Sequence, residues 1–276
     1  MKKLFKIFGI ITLMCFSFFY TDRVMEVIAD NDPLKNEIIN LSNNYKLSNN
    51  EAIVTDDTII PGSNGREVNI DKSYKKMRTG NVFNDKLLVF NVLYPEYRLK
   101  DNIDKYIING NVNKKKVSIL FIINNDNNLD KIINILNNKN TKANLFIEYN
   151  YLFNNISKIK KYNSNNIYSY SNKYVYDTLV ISNNIINRIS NNKANYCLTK
   201  IKDKDNLNTC SYSNMFTIIP SIIGNYNDIK NKLSNGSIIL LDTNINSVNE
   251  LSYIIDFINC KGYSIVGLDE LLNESV

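Results

Sequence analysis

The sequence predicts an α/β protein built mainly on parallel strands, and three observations carry that prediction. From Lys116 onward, apolar runs of strand length alternate with stretches whose apolar residues recur at helical spacing. Runs such as VSILFII and SIILLD are apolar throughout, as strands covered on both faces are. The chain has 276 residues, 44% of them hydrophobic, enough for one sizeable core and an extra segment. Repeated β-α units imply a mostly parallel sheet or a barrel.

The elements follow in order. MKKLFKIFGIITLMCFSFFYTDR opens with lysines and runs apolar from Ile7 to Tyr20, the pattern of a secretory n-region and h-region. Counted from Leu4, the run reaches the lower limit for crossing a bilayer, about 17 residues. The basic start places the N-terminus in the cytoplasm and the rest outside. Residues 1–21 therefore read as an uncleaved signal anchor, a single-pass transmembrane helix with an extracellular C-terminal domain. Cleavage after Val27-Ile28-Ala29, giving a secreted protein, is the alternative. Residues 22–57 read as a polar stalk, in which Asp32-Pro33 can start a short helix over LKNEIINL. Residues 58–113 read as a small β-rich module. There TIIPGSNGREVNI carries a Ser-Asn-Gly turn between apolar runs, a hairpin signal. IDKSYKKM has a helical pattern, and KLLVFNVLY is a strand closed by Pro95.

The α/β domain spans residues 114–276. VSILFII is its first strand, and Leu129 to Leu136 a helix. KANLFIEY, IYSYS, ANYCL, MFTII, SIILLD and YSIVGL are strands. Tyr151–Lys161 and Tyr174–Ile189 are helical, and DELLNE is a short final helix. Ser247 to Lys261 is the clearest helix, with Ser247 and Glu250 as a capping box and Gly262 as the stop.

Composition excludes several chemistries. There is no His, so neither a His-based zinc site nor a Ser-His-Asp triad can form. Net charge is +6, half of it from Lys2, Lys3 and Lys6. No basic stripe interleaves with aromatics, which excludes nucleic acid as a partner and leaves mild attraction to anionic surfaces. No Cys-x-x-Cys pair points to a thiolate metal site. Cys15 lies in the apolar segment, and Cys260 reads as a small core residue on a helix. Cys197 and Cys210 lie outside the membrane and are either a disulfide or two buried thiols. Asn makes up roughly one residue in six, well above ordinary usage, and suits turns and helix ends.

The order of segments resembles the NodB-homology polysaccharide deacetylases. NGSIILLDTN, then ELSYIIDFINCKGY, then SIVGLDELL is similar to that family's C-terminal strand, helix, Lys-Gly-Tyr turn, strand and Glu-Leu-Leu helix. KVSILFI followed by NILNNKNTKANLFIE resembles its first unit. IPGSNGREVNIDKSYKKM and KYIINGN resemble the N-terminal extension of some membrane-anchored Gram-positive members. The resemblance covers about Lys116 to Glu274. It implies a distorted β/α barrel, NodB-like, preceded by the β-rich module and the membrane helix. It also implies a divalent metal such as zinc, held by one Asp and two His, that activates water to attack an N-acetyl group.

Carried over by position, the family's Thr-Phe-Asp-Asp-Gly falls on Leu120-Phe121-Ile122-Ile123-Asn124, so the base and the metal-binding Asp are both isoleucine. The His-x-x-x-His falls on YSNKY, putting Tyr170 and Tyr174 at ligand positions, where they can stack on sugar or fill a groove. The Arg-x-Pro loop falls near Tyr196-Cys197-Leu198-Thr199, and the late catalytic His on Asp242. Isoleucine neither ligates a metal nor accepts a proton. The resemblance therefore implies a pseudoenzyme without cofactor, whose partner is cell-wall glycan or peptidoglycan. An active N-deacetylase with an atypical site and a purely structural envelope protein are the alternatives. Asp126 and Asp242 end the first strand and SIILLD; as a pair they suit glycoside hydrolysis, and singly they are loop acids or helix caps.

Overall fold

The structure, a computed structural model, describes residues 2–30 and 32–275, apart from the side chains of residues 2–7 and 22–29. It divides into two compact units, Met1–Asn49 with Asn64–Leu93, and Asn50–Ser63 with Tyr94–Ser275.

The smaller unit holds α1 (Lys2–Asp30), α2 (Pro33–Ser42), α3 (Ile70–Met77) and the antiparallel strands β3 (Gly65–Val68) and β4 (Phe90–Leu93). Pro33 opens α2, and the Asp32 carboxylate accepts the Leu34 N–H at 2.9 Å. Leu34 and Ile38 of α2 pack with Val68, Tyr74 and Met77 in a small core. The segment read as a stalk is therefore partly core, because its short amphipathic helix has an apolar face to bury. Along α1, every residue from Phe8 to Thr21 is exposed. Among the described residues, no helix is long and apolar enough to cross a membrane. The expected span also draws on residues 4–7, whose side chains lie outside the described set.

The larger unit contains two sheets. The first runs β1 (Ile53–Val54), β2 (Thr58–Ile60), β5 (Tyr106–Ile107), β10 (Phe216–Ile218) and β9 (Tyr196–Leu198). The second runs β11 (Ile222–Ile223), β12 (Ile238–Leu241), β6 (Lys116–Ile123), β7 (Asn144–Glu148) and β8 (Asn166–Tyr170), with β13 (Ser264–Ile265) on the start of β6. Every pairing is parallel except β1 with β2. The predicted parallel architecture is present, but its strands hydrogen-bond as two sheets rather than one closed barrel.

Helices α4 (Leu129–Asn138), α5 (Tyr149–Asn154), α6 (Ile156–Ile159), α7 (Tyr176–Ile189), α8 (Lys204–Tyr212), α9 (Tyr226–Lys232), α10 (Ile245–Cys260) and α11 (Leu268–Leu271) connect or follow the strands. The register of β6 follows from its alternation. Val117, Ile119, Phe121 and Ile123 enter a core shared with α4 and α10. Leu120 and Ile122 enter a second core with Phe146, Tyr168, Leu198 and Leu240. Each large apolar side chain so buried stabilises by about 1.5–3 kcal/mol.

Several local expectations are corrected. TIIPGSNGREVNI is not a hairpin: β2 pairs β5 and β1, whereas β3 pairs β4. Its glycines serve close backbone approach instead of a turn; a Cβ on Gly62 would lie 2.1 Å from the Asn50 carbonyl oxygen. The helix read over Tyr151–Lys161 breaks at Asn155, with φ −130°. α8 and α9 were not expected; both are short and start on side-chain caps, Asp203 and Asn225. The capping box at Ser247 is displaced by one turn. Asn244 is the cap and accepts the Ser247 N–H at 2.9 Å.

Candidate functional site

In parallel α/β folds, ligands bind beyond the carboxyl ends of the strands. Here β6 and β12 lie side by side, with Leu240 opposite Leu120 and Leu241 opposite Phe121. Their ends open on a cavity of about 140 Å³, lined by Ile122, Asn124, Lys200, Leu240, Leu241, Asp242 and Thr243. Asp242 also lines two neighbouring cavities. One, of about 370 Å³, is bordered by Asn124, Asn125, Asn127, Asn128 and Asn244. The other, of about 400 Å³, is bordered by Asn225, Asn244, Asn246, Asn249 and Glu250. The three meet at one exposed carboxylate.

Two loops form the rim. The β6–α4 loop is folded by the Asn125 side chain, which accepts the Asn127 N–H at 2.8 Å. Asn128 adopts a left-handed conformation, φ 61°, and its Nδ2 donates to the Thr243 carbonyl at 3.1 Å. Asn is one of the few side chains suited to that backbone. The rim beyond β6 is thereby pinned to the rim beyond β12. Asn128 takes the N-cap position of α4 without a side-chain cap bond, and Asp126 is instead held by Lys158 at 2.9 Å and by the Tyr151 hydroxyl. Asp126 is absent from the lining of all three cavities, so no Asp126–Asp242 pair faces a common ligand space.

The other predicted positions separate. Ile122 faces the cavity, half-buried, while Ile123 points to the opposite side, 1% exposed in the helix-facing core. Tyr170 and Tyr174 do not line the cavity. Tyr174 is 4% exposed, and its hydroxyl accepts the Leu198 N–H at 3.0 Å and sits 3.3 Å from the carbonyls of Ser169 and Leu198. Burial pushes the Tyr174 hydroxyl well above the usual phenol range. The Tyr170 hydroxyl donates to Asn172 at 2.7 Å, and burial raises its pKa as well. Tyr174 has a structural place, its phenol satisfying backbone groups that strand ends leave open, whereas Tyr170 bonds a side chain. Cys197 and Cys210 are joined, which ties β9 to α8 around a pocket of Tyr174, Leu179 and Met215.

Lys200 was missed by sequence reasoning. The available signal was its place just beyond the end of β9, where parallel folds carry their working side chains. Glu250 was read as a cap and instead lines the largest of these cavities; one carboxylate oxygen accepts the Tyr226 N–H at 3.1 Å.

This donor set does not fit a divalent metal. The innermost cavity offers one carboxylate and an ammonium that repels cations, with isoleucine on its floor. Among the described residues, no group of three or more His, Cys, Asp or Glu converges to hold one. What the three cavities together supply is an array of amides and hydroxyls, two carboxylate acceptors, Asp242 and Glu250, and one ammonium donor over an apolar floor.

No protein-family profile matches the chain. An uncharacterised Bacillus subtilis protein, YlxY, is 26% identical over 279 residues, covering 90% of this chain and 86% of that protein. Among solved structures, wild-type BA3943 of Bacillus anthracis, a CE4 family pseudoenzyme, superposes with a TM-score of 0.65 at 23% identity. It covers 89% of this chain and 96% of its own. A mutant of BA3943 with restored enzymatic activity matches at TM-score 0.66 and 22% identity, over 88% of this chain and 99% of that one. The Bc1960 peptidoglycan N-acetylglucosamine deacetylase matches at TM-score 0.54 and 19% identity, over 62% of this chain and 95% of its own. The fold is therefore that of the CE4 proteins, the NodB-like polysaccharide deacetylases, as the resemblance over Lys116 to Glu274 implied.

Proposed function

We propose that this protein is a catalytically inactive member of the polysaccharide deacetylase lineage that binds cell-wall glycan. One observation carries the reading. At the strand ends where a CE4 fold works, the cavity holds Ile122, Lys200 and Asp242, a set that can bind hydroxyl and amide groups but cannot activate water through a metal. The extended polar cleft around Asp242 suits a sugar chain, whose hydroxyls need paired donors and acceptors. The solved neighbours add two supports: one is a pseudoenzyme, and another acts on peptidoglycan. In this reading the protein works outside the cytoplasm, tethered by its N-terminal apolar helix.

The test is acetate release. The full chain is incubated with N-acetylated peptidoglycan or chitin oligomers and Zn²⁺ or Co²⁺, beside an active deacetylase. Acetate no higher than in a heat-denatured control is expected, together with sedimentation of the protein with purified cell wall. Acetate above the control would restore the enzyme reading, and absence from the wall pellet would favour a purely structural protein. Asp242→Ala is expected to weaken wall binding roughly 10-fold or more, since a carboxylate hydrogen bond contributes about 1.5–3 kcal/mol.

A further inference from the structure

In the smaller unit an apolar helix leads into a basic one. The exposed stretch of α1 includes Phe16 at 72% and, in succession, Phe18, Phe19 and Tyr20 at 74–76%. Successive residues point about 100° apart on a helix, so the apolar surface runs all the way round rather than forming a stripe for one protein partner. The other end of α1 is tied to α3. Lys35 reaches Asp30, the last residue of α1, at 2.6 Å and Asp71, in the first turn of α3, at 2.9 Å. α3 itself is two-faced: Ser73, Tyr74 and Met77 are buried, while Lys72, Lys75 and Lys76 are exposed. None of those three lysines takes part in an ion pair among the described residues.

We infer that this unit docks on a lipid bilayer carrying anionic headgroups, with the apolar run of α1 in the hydrocarbon and Lys72, Lys75 and Lys76 of α3 facing the phosphates. This rests on the tethered reading above and adds a second, electrostatic contact. The lengths agree. Asp30 is ten residues beyond Tyr20, a rise of roughly 15 Å. The headgroup layer is about 5–7 Å thick, and charges act over about 8 Å at physiological salt. α3 thus stands at the outer edge of the headgroup field. The helical run counted from Leu4 to Tyr20 rises roughly 25 Å, close to the ~30 Å hydrocarbon core. In contact with an anionic leaflet each lysine strengthens association roughly fivefold, hence about a hundredfold for three. One Debye length away, about sixfold remains.

The chain contains no Trp, so a single introduced Trp reports alone. The full chain carrying Phe16→Trp or Val82→Trp is reconstituted in phosphatidylcholine vesicles, with or without phosphatidylglycerol, containing lipid brominated near the headgroup. Val82 is 69% exposed in the turn after α3. Phe16→Trp is expected to be quenched in both vesicles. Val82→Trp is expected to be quenched only with phosphatidylglycerol, to recover at 1 M NaCl, and to lose about sixfold in docked-to-free ratio with Lys72→Gln, Lys75→Gln and Lys76→Gln together. Equal quenching of Val82→Trp in neutral and anionic vesicles, or no effect of the three glutamines, overturns the inference and leaves the tether standing. An unquenched Phe16→Trp overturns the tether and the inference with it. A lysine-dependent response of Val82→Trp to soluble polyphosphate, without one to vesicles, would reassign the face to an anionic wall polymer.

Discussion

Asn144 is fully buried on β7. Its Oδ1 accepts the Leu268 N–H at 3.0 Å, and its Nδ2 donates to the Ile119 carbonyl at 3.1 Å. Asn144→Leu strips two backbone groups of their partners and is expected to cost about 2–4 kcal/mol in chemical denaturation. Gly236, with φ +80°, is a sharper constraint: a Cβ there would lie 2.3 Å from the Gly110 carbonyl oxygen. Gly236→Ala is expected to destabilise by ~2 kcal/mol or more, through backbone strain and displacement of the neighbouring segment. Thr217 is the converse case, a buried Oγ1 with no hydrogen-bond partner among the described residues. Thr217→Val is expected to be neutral or to stabilise by up to ~1 kcal/mol.

Asp32 gives the pH response at the same scale. The Tyr74 hydroxyl, at 2.8 Å, and then the Leu34 N–H hold its carboxyl below the ordinary carboxylate range. A depressed native pKa contributes stability that is complete above the unfolded value, about 3.9, and is lost as pH falls through the native value. Tyr74→Phe removes the larger cause. Acid unfolding of the smaller unit should then begin at a higher pH, as followed by circular dichroism; an unchanged acid limb would mean the contact does not form in solution.

At the scale of elements, the two strand-end loops and the β9–α8 connection hold the cleft in shape. The Cys197–Cys210 bond encloses a separation of 13 residues, a loop length for which cross-linking contributes about 3 kcal/mol by restricting the unfolded chain. Reduction is expected to lower stability by that amount, and alkylation should modify both thiols only after reductant is added. Asn244 caps α10 at the edge of the cleft, so Asn244→Ala is expected to cost about 1 kcal/mol. Glu250→Ala, at the same helix, leaves the cap intact.

For the whole molecule, the decisive measurement besides acetate is metal response. A resident metal stabilises in proportion to its binding, so Zn²⁺ or a chelator shifts the unfolding temperature of a metal protein. Here the expected shift is below ~1 °C, because Ile122, Lys200 and Asp242 provide no ligand set. A single Ile123→Asp change is not expected to help, since residue 123 faces the helix-side core.

Much of the fold was legible in the sequence, and less of the site. Strong local patterns survived: VSILFII became β6, SIILLD became β12, and the apolar spacing after Leu129 became α4. Weak ones failed where a distant partner chose the outcome. Ser-Asn-Gly reads as a turn, yet β2 and β3 pair elsewhere. α8 and α9 have few apolar residues and rely on their caps, so periodicity did not reveal them. Ile122 and Asp242 were identifiable because strand order and family resemblance placed them. Lys200 was not, because nothing in a lone Lys after a short strand says which cavity it will line.

By itself, the sequence determined the chemistry that is absent. A chain without His cannot form a His-based metal centre, and here isoleucines end the first parallel strand. Only the tertiary structure decided which groups share a space. Strand alternation sends Ile122 to the cavity and Ile123 to the core, burial gives Tyr174 to the backbone, and the packing of the two sheets brings Lys200 and Asp242 to one cavity. Side-chain direction depends on register and on partners far along the chain, and those are set by packing rather than by any local run of residues.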